Sequence, residues 1–130
     1  MTKKWGNITI LVVEDDLDMR EVLCDFFKDG GATVFDAENG KVALEVMSKE
    51  QVDLVVSDVQ MPIMDGVELL KMIRAKNPEI PIVLFTTGQS QLTEESAIAS
   101  GASGLLNKPY NFNILAEKIS ELLLINRKAS

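Results

Sequence analysis

Five short apolar runs, each followed by a stretch with apolar residues at helical spacing, leave few folds open to this chain. The runs are Ile8 to Val13, Thr33 to Phe35, Val52 to Ser57, Ile82 to Thr86 and Leu105-Leu106. The first and third are nearly continuous in β-branched and aliphatic residues, the pattern of strands buried on both faces. Over Leu17 to Lys28 the residues Met19, Val22, Leu23, Phe26 and Phe27 recur at helical spacing, and Gly30-Gly31 stops that helix. Asn39-Gly40 precedes a second helix carried by Val42, Ala43, Val46 and Met47. Asp65-Gly66 marks a turn before a third, which carries Val67, Leu69, Leu70, Met72 and Ile73 and ends before Asn77-Pro78.

Pro81 opens the fourth strand, and Gly88-Gln89-Ser90 forms a loop. A fourth helix, weaker because it is rich in Ser, Thr and Ala, spans Thr93 to Ser100 and ends at Gly101. The last helix spans Asn111 to Ile125, with Ile114, Leu115, Ile119, Leu122 and Leu123 on its inner side. The polar tail Asn126 to Ser130 is expected to fray. Strand and helix alternating through five units predict an α/β fold: a parallel, doubly wound sheet with helices on both faces, joined by right-handed crossovers. At 130 residues the chain fits a single domain with its core over about residues 8–125.

The composition narrows the function. Twenty acidic residues against 13 basic ones give a formal net charge of −7, which argues against nucleic acid and against an anionic membrane as partners. The apolar run after Lys3-Lys4 is too short for a signal sequence and leads straight into Glu14-Asp15-Asp16, so a cytoplasmic protein is expected. The single cysteine, Cys24, lies in an apolar helical pattern and reads as packing. With no histidine, the chain holds no imidazole zinc site, Ser-His-Asp triad or Cys-His pair. Its chemistry must use carboxylates, hydroxyls, lysines or a hard metal ion.

The residues that close the strands supply such groups. The first strand ends at Glu14-Asp15-Asp16, the third at Asp58, the fourth at Thr86-Thr87 and the fifth at Asn107-Lys108-Pro109. In a parallel sheet these ends share one edge, the edge where ligands bind in open α/β folds. Each residue has a plainer reading alone: Asp58 as a turn former, Thr86 as a strand residue, Lys108 as a solvated charge and Asp16 as the residue that starts the first helix. Together they bring several carboxylates, a hydroxyl and an ammonium to one place. Crowded carboxylates raise one another's pKa unless a cation neutralises them, and Mg²⁺ is the natural cation for a few carboxylates beside a phosphate. The set suits phosphoryl transfer to a carboxylate, giving an aspartyl phosphate.

The sequence resembles the receiver domains of bacterial two-component response regulators over roughly Ile8 to Leu124. The motifs are Val12-Val13-Glu14-Asp15, Ser57-Asp58, Met61-Pro62, Met64-Asp65-Gly66, Pro81-Ile82 leading to Thr86, Gly101-Ala102 and Lys108-Pro109. The resemblance implies a flavodoxin-like (βα)5 three-layer sandwich with strand order 2-1-3-4-5. It implies that Asp58 accepts a phosphoryl group from the phosphohistidine of a sensor histidine kinase or histidine phosphotransfer protein. Glu14, Asp15 and Asp58 would hold Mg²⁺ with the backbone carbonyl of Gln60. Lys108 would pair with Asp58 or its phosphate, Thr86 would bond the phosphoryl oxygen, and the Lys108-Pro109 bond would be cis. Such a domain is no conventional enzyme, since it catalyses only its own phosphorylation and dephosphorylation.

Two features depart from the usual pattern. Leu105 stands where the family often carries an aromatic switch residue, and Gly88, at a position that with Gln60 influences phosphate loss, offers no side chain. The output surface implied is the fourth helix, fifth strand and last helix, including Leu105 and Asn107. It would engage a downstream protein target, a linked output domain or a second copy in a phosphorylation-dependent homodimer. The initial methionine and short polar tail favour a stand-alone receiver over one excised from a larger regulator or hybrid kinase. Of the other classes, an aspartate-nucleophile phosphohydrolase would want a second acid where Gln60 stands. A dinucleotide or flavin carrier would want a glycine-rich phosphate loop where Glu14-Asp15-Asp16 stands. A phosphate-independent binding module remains the alternative.

Overall fold

Parallel strands at the centre of a sheet must find apolar cover on both faces, and this chain supplies it from alternate residues. The computed structural model describes residues 4–86, 92–108 and 111–129, with side chains in the last helix up to Leu124. The strands are β1 (Thr9–Val13), β2 (Thr33–Ala37), β3 (Leu54–Asp58), β4 (Ile82–Thr86) and β5 (Gly104–Asn107). The helices are α1 (Leu17–Asp29), α2 (Gly40–Lys49), α3 (Gly66–Lys76), α4 (Glu94–Ala99) and α5 (Phe112–Ala129). All strands pair in parallel, in the order β2-β1-β3-β4-β5. The expected architecture and strand order are therefore present, and β3, which ends on Asp58, is the central strand.

Each sheet face has its own core. Ile10, Val12, Leu54, Val56, Val83 and Phe85 meet Leu23 and Phe27 of α1 and Leu115 and Ile119 of α5. The residues between them, Leu11, Val13, Val55, Ile82 and Leu84, meet Ala43 of α2, Leu69, Leu70 and Ile73 of α3 and Ala97 of α4. This period-2 division leaves every residue of β3 and β4 buried. Cys24 belongs to the first core, and burial pushes its thiol up to about 11, which makes it a packing residue.

Caps set the helix starts. Asp16, Asn39, Asp65 and Thr93 each accept a hydrogen bond from a backbone N–H in the first turn of α1, α2, α3 and α4. Asp16 thus takes the helix-starting role expected of it. The structure differs from the sequence reading at several points. β3 begins at Leu54, because Asp53 bonds both backbone groups of Thr9 at the entrance to the sheet. α5 continues to Ala129, since no glycine or proline stands in 126–129 to stop it. Val22, Met72 and Ile114 fit the helical spacing yet face solvent, because the inner stripe is narrower than their periodicity suggested.

A second feature lies outside the strand–helix pattern. Trp5, only 2% exposed, closes the end of the first core opposite the acidic strand ends. Its ring meets Phe26 and Phe27 edge-on at 5.5 Å, and Phe26 lies tilted against Phe112 at 4.7 Å. The Trp5 backbone N–H donates to the Gly30 carbonyl at 2.8 Å, and a Cβ on Gly30 would stand 2.3 Å from the indole. Gly30 is needed there for close approach. Trp5→Ala is expected to cost about 3 kcal/mol, on the scale for deleting a large buried ring. Urea denaturation of the two proteins measures it.

Candidate functional site

The register decides which strand ends meet. Val13 pairs with Ser57 and Asp58 with Phe85, so Glu14 falls beside Asp58 and Thr86 one step further along β4. Thr86 in turn pairs with Asn107, the residue before Lys108, whose backbone N–H donates to the Thr86 carbonyl at 2.8 Å. Glu14, Asp58 and Thr86 are buried, at 1%, 4% and 2% exposure.

One ammonium holds the centre. Lys108 Nζ donates to Asp58 Oδ2 at 2.8 Å and to Glu14 Oε1 at 3.0 Å. One oxygen each from Glu14, Asp15 and Asp58 lies within 4.8 Å of the others, with Asp15 toward solvent. Three carboxylates against one ammonium leave an excess of two negative charges. Burial pushes the Asp58 carboxyl up from its ordinary value and Glu14 adds to the effect, while Lys108 and the Gln60 N–H pull the other way. Burial likewise raises Asp15, helped by its hydrogen bond to Glu14 and by that residue's charge. Burial alone would lower Lys108, but Asp58 and Glu14 outweigh it and hold its pKa up. The acidic groups are therefore short of positive charge, and a hard divalent cation fits them.

The two loops flanking the cluster are tightly specified. In the first, Asp16 donates its N–H to Glu14 Oε2 at 3.3 Å and accepts from the Met19 N–H at 3.1 Å. In the second, Gln60 N–H reaches Asp58 Oδ1 at 3.2 Å, and Val59 N–H reaches the Phe85 carbonyl at 2.9 Å. Met64 N–H then closes on the Pro62 carbonyl at 2.7 Å around Ile63, whose φ is +72°. This is the strained form of the γ-turn, unusual for a β-branched residue, and it leaves Ile63 75% exposed. Gly66 returns the chain to Asp58 so closely that a Cβ would lie 2.3 Å from the Asp58 carbonyl. Gly66 is there for close approach, where the sequence had suggested only a turn. Asp15, Val59, Gln60, Met61, Pro62 and Asp65 line an open cleft of about 490 Å³ in front of the cluster.

The structure brings Glu14, Asp15, Asp58 and Lys108 together and puts Gln60 in the same cleft. Leu105 is half-buried, packed on the second core beside Leu84. Gly88 and the Lys108-Pro109 bond lie outside the described residues. Sequence reasoning missed Arg20, whose guanidinium reaches Glu14, and the left-handed Ile63, for which a β-branched residue gives no signal.

Comparison with known proteins agrees with this geometry. The response regulator receiver domain profile matches residues 10–120. The transcriptional regulatory protein ZraR of Klebsiella oxytoca is 39% identical over 93% of this chain and 27% of its own length. The chain thus spans about a quarter to a third of the length of curated relatives of this kind. Among solved structures, the chemotaxis response regulator CheY4 of Vibrio cholerae superposes with a TM-score of 0.81 at 32% identity, covering 88% of this chain and 98% of that one. The receiver domain of Saccharomyces cerevisiae Ssk1, solved with the histidine phosphotransfer protein Ypd1, does so with a TM-score of 0.83 at 27% identity, covering 93% and 92%. The chain belongs to the response regulator receiver domain family of two-component systems. Among the described residues, no helix is long and apolar enough to cross a membrane.

The raised Asp58 pKa has a consequence for stability. The folded protein binds a proton at Asp58 more tightly than the unfolded chain, so this group's contribution is favourable at low pH and is lost as pH rises through its folded value. Without a divalent ion, Asp58→Asn is therefore expected to be more stable than the wild type at neutral pH. The advantage should vanish below about pH 4, where the carboxyl is protonated in both states. Urea denaturation at the two pH values tests this.

Proposed function

We propose that this protein is the phosphoacceptor of a two-component pathway and that Asp58 carries the phosphoryl group. The single observation supporting this most strongly is the Asp58 carboxylate at the end of the central strand, bonded to Lys108 and close to Glu14 and Asp15. The donor is the phosphohistidine of a sensor kinase or histidine phosphotransfer protein. This chain lacks histidine, so the imidazole must come from the partner. As the P–N bond breaks, a P–O bond forms to Asp58 and the departing imidazole takes up a proton.

Glu14, Asp15 and Asp58, with the Gln60 carbonyl, would hold Mg²⁺, which when bound neutralises charge on the phosphoryl oxygens. Lys108 turns from Asp58 Oδ2 to meet the phosphoryl group, while Glu14 keeps the ammonium oriented. The Gln60 N–H on Asp58 Oδ1 and Lys108 on Oδ2 together hold the Asp58 carboxyl in one orientation. The domain acts on itself alone and turns over no separate substrate. One molecule gives one phosphoprotein.

The phosphate adds negative charge and acceptor oxygens, and the Thr86 hydroxyl moves to meet one of them. By the strand period Thr86 and Leu105 lie on the same sheet face, two residues apart in register, since Leu105 pairs with Leu84 and Asn107 with Thr86. A shift at Thr86 therefore opens space that Leu105 repacks into, changing the surface of α4, β5 and α5. A target protein, a linked output domain or a second copy reads that surface, and the cytoplasm is where such a pathway would run.

Two experiments test the reading. Incubation with acetyl phosphate or phosphoramidate is expected to add one phosphoryl group by intact mass, only with Mg²⁺ and not in Asp58→Asn. No gain with either donor would point to a binding module that works without phosphate. Leu105→Ala is expected to leave that mass gain in place while weakening phosphorylation-dependent association by about tenfold, the scale of one buried contact of about 1.4 kcal/mol. Association unchanged in the variant would remove Leu105 from the output path.

A further inference from the structure

The acidic loop after β1 has a restraint that the phosphoacceptor reading does not use. Three consecutive carboxylates, Glu14, Asp15 and Asp16, must stay close to one another and to Asp58 although their charges repel. Arg20, one turn into α1, reaches back over this loop. Its Nη1 donates to the Glu14 carbonyl at 2.8 Å, and its Nε donates to Asp36 Oδ2 on the edge strand β2 at 2.9 Å. Its backbone N–H donates to the Asp16 carbonyl at 2.9 Å. The Arg20 side chain is 14% exposed and that of Asp36 54%.

We propose that Arg20 is a positioning residue for the cation site: its guanidinium pins the Glu14 carbonyl and so aims the Glu14 and Asp15 carboxylates at Asp58. The Glu14 N–H is already held by the Ala37 carbonyl at 3.0 Å. With Arg20 on its carbonyl, both backbone groups of Glu14 are fixed, and Asp15 follows directly. The side chains then have little freedom left: Glu14 Oε1 meets Lys108 and Oε2 meets the Asp16 N–H. An ion pair open to solvent on one side, such as Arg20 with Asp36, contributes little stability by itself. Its effect here is to orient the planar guanidinium, so that Nη1 faces Glu14. A lysine can reach one of these acceptors but cannot hold both at the fixed angle of a guanidinium.

This inference rests on the proposed Mg²⁺ site, and the test separates the two. Mg²⁺ binding is followed by titration calorimetry on wild type, Arg20→Met, Arg20→Lys and Asp36→Asn, with melting temperatures recorded without metal. Arg20→Met is expected to weaken Mg²⁺ binding about tenfold, the low end for groups that orient metal ligands, with Arg20→Lys restoring part of the loss. Asp36→Asn, an exposed change that leaves the fold intact, should fall between wild type and Arg20→Met. Phosphorylation by acetyl phosphate should return to the wild-type rate at saturating Mg²⁺, because the bound ion reimposes the geometry. A merely structural Arg20 would lower the melting temperature and leave Mg²⁺ affinity unchanged. That outcome, or unchanged affinity in both Arg20→Met and Asp36→Asn, overturns the proposal alone. A wild type that binds no Mg²⁺ overturns the cation site and the proposal with it.

Discussion

The Lys108 ammonium, shared between Asp58 and Glu14, is the contact on which the acidic edge of the sheet depends. It joins the chain just beyond β5 to the ends of β1 and β3, across the breadth of the sheet. Removing Glu14 and Asp58 from water is costly, and one cation is too little to offset them with Asp15 beside them. The cluster is accordingly held by geometry supplied from outside it. Hydrogen bonds from Gln60 and Asp16 fix the carboxylate oxygens, and the parallel register fixes the strand ends.

This arrangement places a strained, charged edge on a rigid base. The two apolar cores pin all five strands, so the strand ends cannot drift apart to relieve their repulsion. The strain appears instead in the loops: the left-handed Ile63, the contact of Gly66 with the Asp58 backbone and the excess of negative charge itself. Strain gathered around a buried carboxylate over a well-packed sheet is the pattern expected where binding, rather than folding, is to satisfy the site. A second anchor, Trp5 with Phe26 and Phe27, lies at the far end of the first core, away from this edge.

How much was legible beforehand differs by level. The helices were legible because their apolar residues recur at helical spacing, and the strands because they are short, nearly continuous apolar runs bounded by glycine, proline and acidic residues. The acidic edge was legible because all strands of a parallel sheet end on the same side, which turns Glu14, Asp58, Thr86 and Lys108 from scattered residues into neighbours. Val22 and Ile114 misled because helical spacing marks a stripe but not its width. Arg20 was not legible, since its partners are a backbone carbonyl and an edge-strand carboxylate that no local pattern connects to it.

The sequence by itself determined the α/β alternation, the set of residues at the strand ends and the dependence on carboxylates in a chain without histidine. These follow from local periodicity and from residue chemistry. Tertiary structure alone decided that Lys108 bridges Asp58 and Glu14, that Gly66 is needed for its missing Cβ, that Ile63 takes a positive φ, and that Arg20 governs Glu14. Each is a contact of a few ångströms between parts of the chain whose separation is set only when register and helix packing are complete.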